Sequence, residues 1–187
     1  MWCGVGYVAG CSCDSDEPHA QALYEQLTAA GCRVWWDKVC LQTGVSWKDG
    51  FCAGMMNSRV FVCLVSKEAI HHPEKEWQNF SKLTSGSNCD NVYLEHRLAL
   101  ELRAFGLLEK IVPVLIGEEV AGSTVRTLTK YEFVSPPMLP SVCVEAVEAE
   151  VWQCMDRQAL GTPLQPNRTV ASVFSELLGN QGLFLEG

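Results

Sequence analysis

Three short apolar runs restrict the fold of this chain more than anything else in it: CRVWW at 32–36, SRVFVCLVS at 58–66 and KIVPVLIG at 110–117. None alternates apolar with polar, as a strand with one wet face would. Strands that are apolar throughout are covered on both faces, which points to a mainly parallel sheet with helices on either side. A weaker, glycine-broken run from Val5 to Cys11 reads as a first strand. DSDEPHAQALYEQLTAAG, at 14–31, reads as a helix, capped by Asp14, Ser15 or Asp16, with Pro18 in its first turn, and Gly31 ends it. Asp37 to Ser46 is a polar loop of about ten residues, longer than most connections, and Trp47 to Asn57 is a short helix. The order β-α-β-α-β-loop-α-β predicts an α/β domain. Further on, Tyr131 to Val134 suggests an edge strand, and Val142–Arg157 and Thr169–Leu178 suggest two helices.

The segment from Asn88 to Gly117 concentrates the chemistry. Asp90 or Asn91 caps a helix whose apolar stripe is Leu94, Leu98, Leu102 and Phe105, and Gly106 closes it. At ~100° per residue, Glu95 falls on the border of that stripe, whereas His96, Arg97 and Arg103 point elsewhere. A first-turn carboxylate half over the core is a candidate reactive group, although acidic residues also occur there simply to complement the helix dipole. Glu101, on the opposite border, is expected as a solvated or salt-bridged flank residue.

Composition excludes several classes. A net charge of −8 argues against binding to a phosphate backbone. No apolar run reaches the ~20 residues of a membrane span, and the N-terminus lacks the basic and apolar regions of a secretory signal. The ten cysteines show no CxxC pair and the lone His71-His72 couple is adjacent in sequence, so no metal site is expected. Reduced, mostly buried thiols in a cytoplasmic protein are the expectation. With no GxGxxG, GxxxxGK[ST] or GxSxG, dinucleotide-fold, P-loop and serine-hydrolase readings all fail. In open parallel sheets ligands sit beyond the carboxyl ends of the strands. That rim carries the Cys11–Asp16 loop, the Asp37–Ser46 loop, Ser66 and the approach to Glu95.

The blocks DEPHAQALYEQLTAAGCRVWWDKVCLQTGVSWKDGF, SRVFVCLVS, DNVYLEHRLALEL and IVPVLIG, in that order, resemble a Toll/interleukin-1 receptor (TIR) domain over roughly residues 6 to 135. The resemblance implies a flavodoxin-like parallel five-stranded sheet flanked by helices. With it go a TIR domain at 1–158 and a short helical C-terminal extension at 159–187. It also implies function. Some TIR domains are scaffolds that assemble through the loop after the second strand, here Lys38 to Trp47. Others cleave NAD+ at the nicotinamide–ribose bond in immune or cell-death signalling, with an essential glutamate that the block DNVYLEHRLALEL aligns with Glu95.

The same resemblance implies that Asp14, Trp36, Asp37, Gly44, Trp47 and Ser66 lie by the nucleotide, with Trp35 and Phe51 more at home in the core. NAD+ is then a substrate, no separate cofactor is needed, and partners are further copies of the chain in head-to-tail contact, with other TIR proteins as further candidates. A non-catalytic scaffold and a nucleotide sensor without turnover are the competing readings. The family's usual aromatic-x-Ser-Tyr at the end of the first strand is replaced by Val8-Ala9-Gly10-Cys11-Ser12. The serine–tyrosine–arginine trio is absent, and with it the usual floor of the nucleotide pocket.

Overall fold

A computed structural model describes residues 5–9, 16–66, 70, 79–117, 139–180 and 183–186. Its elements are β1 (Val5–Ala9), α1 (Glu17–Ala29), β2 (Arg33–Trp35), α2 (Asp37–Cys40), α3 (Trp47–Met56), β3 (Val60–Val65), α4 (Asn91–Ala104), β4 (Lys110–Gly117), α5 (Glu145–Arg157), α6 (Val170–Leu178) and β5 (Leu183–Glu186). The five strands form one sheet in the order β2-β1-β3-β4-β5, every pairing parallel. This is the flavodoxin-like arrangement, whose order reverses beside β1.

The apolar runs behave as their composition requires. In β3, Phe61, Cys63, Leu64 and Val65 are all buried, as are Ile111 and Val114 of β4. Pro113 faces Cys63 in the β3–β4 register and lies one residue before the stretch that β5 pairs, which begins at Val114. The irregularity it introduces therefore falls where β4 has only one strand beside it.

Two local expectations need correcting. The loop after β2 is not loop throughout, because Asp37–Cys40 winds into one helical turn. The tail from 159 is not only helical: it supplies α6, and β5 closes the sheet beside β4. Val170, Val173, Phe174 and Leu177 of α6 join the main core, so no break in packing coincides with the division at 158. The strand expected at Tyr131–Val134 lies outside the described residues.

Helix α4 departs most from an amphipathic pattern. Its ends are those the sequence dictates: the Asp90 carboxylate accepts from Tyr93 N at 2.9 Å, and Gly106 (φ +73°) places Leu107 N on Leu102 O at 3.0 Å. Between those ends every residue from Val92 to Leu102 is buried. The sheet takes one side, and α5 and α6 cover the rest. Glu101 is consequently neither solvated nor on a flank. It is fully buried and paired with Arg97 at 2.8 Å.

The cysteines also differ from the all-thiol expectation. Cys52 of α3 and Cys154 of α5 are joined in a disulfide, with Cα atoms 6.2 Å apart and 102 residues between them in sequence. No spacing rule links such a pair; only the packing of α3 against α5 does. Cys32, Cys40, Cys63, Cys89 and Cys143 are free thiols.

Candidate functional site

The carboxyl ends of β2 and β3, the start of α1 and the N-terminal half of α4 converge at one rim of the sheet. Ser66 follows β3 directly, and its hydroxyl donates to the Asp16 carboxylate, the N-cap residue of α1, at 2.5 Å, with both residues buried. Trp36 and Asp37 follow β2. Trp36 is buried and packs on Tyr24 with ring centroids 5.6 Å apart. Asp37 begins α2, its carboxylate accepting from Lys38 N at 2.8 Å.

Glu95 sits among these groups. It starts the second turn of α4 rather than completing the first, is only 9% exposed, and its Oε2 has no hydrogen-bond partner among the described residues. Burial pushes its carboxyl well above the ordinary range, and the negative charges of Asp37 and Asp90 push it further. Asp90 is raised to about 6 by burial, against the pull of the Tyr93 and Val92 N–H groups. Asp37 is raised by burial too, with the Lys38 amide and charge opposing. The buried Cys63 thiol, pushed to about 12 by burial, also feels Glu95. Glu95 thus feels the charge of two further carboxylates, and its Oε2 has no partner among the described residues. Such a site favours a cation, because each like charge makes the next ionisation harder.

Asp14 lies outside the described residues. Gly44 is at the crest of the loop with φ +88°, a conformation that side-chain-bearing residues rarely adopt. Trp47 opens α3, half-buried, its ring tilted on Phe51 at 5.9 Å and the Lys48 ammonium 6.0 Å from its centroid. The two strand-end tryptophans divide in a way that apolar character alone does not reveal. Trp36 enters the core, whereas Trp35 lines a groove of about 280 Å³ between the loop and α3, together with Cys40, Val45, Gly50 and Gly54.

Gly54 is the seat of the Trp35 indole, since a Cβ there would stand 2.4 Å from Trp35 Cε2. We expect Gly54→Ala to push the ring out of the groove and to destabilise by roughly 1–3 kcal/mol, the usual effect of overpacking. Thermal unfolding, with a displaced indole N–H signal in a nitrogen–proton spectrum, checks it; an unmoved signal and an unchanged melting point contradict it.

Sequence reasoning missed the burial of the two residues that follow Glu95. His96 is buried between Phe61 (6.2 Å) and Phe174 (5.3 Å), both ring nitrogens lacking a partner among the described residues, and burial lowers it to about 4. Arg97 is fully buried and bonded to Glu101, Glu148 and the Gln165 carbonyl. An arginine two residues from a candidate acid, inside an otherwise leucine-rich helix, was the available signal. Among the described residues no three His, Cys, Asp or Glu side chains are grouped to hold a metal ion, and no helix is long and apolar enough to cross a membrane.

Comparison with known proteins agrees with this architecture. The TIR domain family profile matches residues 11–136. The TIR domains in the structure of the activated Roq1 resistosome directly recognising the pathogen effector XopQ align over 97% of this chain and 87% of theirs. The TM-score is 0.55 at 13% identity. A metazoan TIR-STING receptor from C. gigas overlaps less well, with TM-score 0.39 at 13% identity over 85% of this chain and 40% of its own. No curated protein sequence matches significantly. With the profile spanning most of its length and the parallel sheet in the order 2-1-3-4-5, the chain is a member of the TIR domain family.

Proposed function

We propose that the chain is a cytoplasmic NAD+ nucleosidase or cyclase of immune or cell-death signalling, with Glu95 as its catalytic carboxylate. One observation carries this reading: Glu95 is buried, held by no cation among the described residues, and keeps an unpartnered oxygen. A buried acid beside Asp37 and Asp90 is a poor structural element and a good receptor for positive charge. NAD+ brings that charge on its nicotinamide ring.

The chemistry asks for little more. The bond from ribose C1′ to the pyridinium nitrogen breaks with its electron pair moving onto nitrogen, and nicotinamide departs neutral, so no general acid has to protonate it. This removes one of the two carboxylates that an ordinary glycosidase needs. The remaining task is to stabilise the oxocarbenium-like sugar, which a fixed carboxylate in a partly dry site does electrostatically. Water then adds to C1′ and loses a proton to give ADP-ribose, or an adenine nitrogen adds to give a cyclic isomer. Trp47, Asp37 and Ser66 are the candidate contacts to the nucleotide, Gly44 shapes the loop beside it, and head-to-tail self-association completes the assembly.

The exposed Val39, Leu41 and Val45 on the 38–47 segment favour a second reading, a scaffold that docks other TIR domains. Incubating concentrated protein with NAD+ and separating products by chromatography tests both. The enzyme releases nicotinamide; the scaffold releases none, and its partner binding survives Glu95→Gln but not substitution of Gly44 or Trp47.

A further inference from the structure

The bond between Cys52 and Cys154 has no part in the proposed reaction, yet it joins two helices that matter to the rim. Helix α3 begins at Trp47, where the loop carrying Gly44 ends. Helix α5 carries Glu148, which grips Arg97 of α4, two residues from Glu95. Two further ties cross the same interface, Lys48 to Glu150 and Asp49 to Arg157. Both ion pairs are partly exposed, and such pairs are worth little in water. The two sulfurs, by contrast, are buried. Among the described residues, the disulfide is therefore the tie that solvent does not weaken.

We propose that the Cys52–Cys154 pair is a redox latch that fixes α3, and through it the 41–46 loop, against α5. Its co-reactant is a low-molecular-weight disulfide such as oxidised glutathione. One protein thiolate attacks a glutathione sulfur and expels one glutathione thiolate, leaving a mixed disulfide. The second protein thiolate attacks the protein sulfur of that mixed disulfide and expels the other glutathione. The two protein thiols are thereby oxidised by two electrons, one glutathione disulfide is reduced to two thiols, and the protons balance. Because both sulfurs are buried in the closed interface, exchange proceeds when α5 lifts from α3, and the finished bond is shielded once the helices close.

The latch acts on the loop through covalent geometry. With the bond formed, α3 cannot move away from α5, and the groove between loop and helix keeps its walls: Trp35, Cys40 and Val45 on one side, Gly50 and Gly54 on the other. With the bond open, two solvent-screened ion pairs and the apolar contacts of α3 remain. The loop is flanked by Lys38 and Lys48, both partly exposed, which makes tryptic cleavage a direct reporter on it.

The test equilibrates the full chain across a series of glutathione redox buffers, alkylates free thiols and maps the peptides by mass. Cys52→Ala and Cys154→Ala remove the latch, and Cys89→Ala serves as the control because Cys89 lies within reach of the Lys48–Glu150 charges. A Cys52–Cys154 linked peptide is expected in oxidised wild type and in Cys89→Ala. Oxidised wild type should be cut at Lys38 and Lys48 several-fold more slowly than reduced wild type, and should melt on the order of 10 °C higher. The two latch variants should behave like reduced wild type at every poise. Reduced wild type is itself the unlatched reference, so the comparison survives a variant that fails to fold. Free alkylation of both cysteines after oxidation overturns the proposal, and so does a linked peptide that changes neither cleavage nor melting. Neither readout involves NAD+, so the latch and the proposed enzyme fail separately.

Discussion

Replacing Arg97 with alanine is expected to destabilise the fold by about 3–5 kcal/mol, the range for removing one member of a buried ion pair. The guanidinium is 0% exposed, and four of its five N–H donors have partners among the described residues. Nε and Nη2 reach the two Glu148 oxygens at 2.6 and 3.2 Å, Nη1 reaches Glu101 at 2.8 Å, and Nη2 also reaches the Gln165 carbonyl at 2.5 Å. The carboxylates continue the network into backbone: Glu101 accepts from Leu164 N and Gln165 N, and Glu148 from Asn167 N. Burial alone would make Arg97 easier to deprotonate, but the Glu148 and Glu101 bonds more than reverse this.

Alanine leaves two carboxylates facing each other with no cation between them. It also unties α4 from α5 and from the 164–167 segment. At roughly 2–4 °C per kcal/mol for a chain of this size, the melting point should fall by about 6–20 °C. Lysine should rescue poorly, since a point charge cannot reproduce the planar fork. A loss below about 1 kcal/mol, typical of a surface pair, would show the network to be ornamental. Chemical denaturation at pH 7 makes the measurement.

This network marks where sequence reading stops. The strands were legible because a continuous apolar run has few other places to go, and β3 and β4 occupy the runs that predicted them. The ends of α4 were legible because a cap and a left-handed glycine act locally. The burial of Glu101, His96 and Arg97 was not, because it depends on α5 and α6, which arrive from more than forty residues away. A stripe analysis assigns charged residues to water by default and cannot know that a second layer will cover them. The same reason hides the Cys52–Cys154 pairing, the burial of Trp36 next to a groove-lining Trp35, and the use of the tail as β5. Glu95 stood out because its position on the helix was a local fact. Asp90 caps the same helix, but Asp37 came to act on Glu95 only once the sheet had brought the segment after β2 to the same rim.

Glu95→Gln should lower the turnover of the proposed reaction by about 10²–10³-fold, the range for removing one well-placed electrostatic stabiliser, while making the protein more stable at neutral pH. The two effects have one cause. In the folded chain Glu95 holds its proton well above the ordinary carboxylate value of 4.5, first through burial and then through Asp37 and Asp90. Between that ordinary value and the raised one, the native state binds more protons than the unfolded state, so wild-type stability falls as pH rises through this window. Glutamine cannot ionise and escapes the loss. The stability advantage of Glu95→Gln should therefore vanish below the ordinary carboxylate range and grow as pH rises above it. Catalysis runs the other way, because only the ionised carboxylate can stabilise the oxocarbenium. Wild-type kcat/KM should climb with pH along a limb lying above the ordinary carboxylate range, and Asp90→Asn, which keeps the α4 cap but removes a charge, should move that limb to lower pH. Denaturation and nicotinamide release measured over the same pH series give both curves. A flat rate profile beside a pH-independent stability difference would mean that Glu95 is not the group being titrated, and the assignment of the catalytic carboxylate would fall with it.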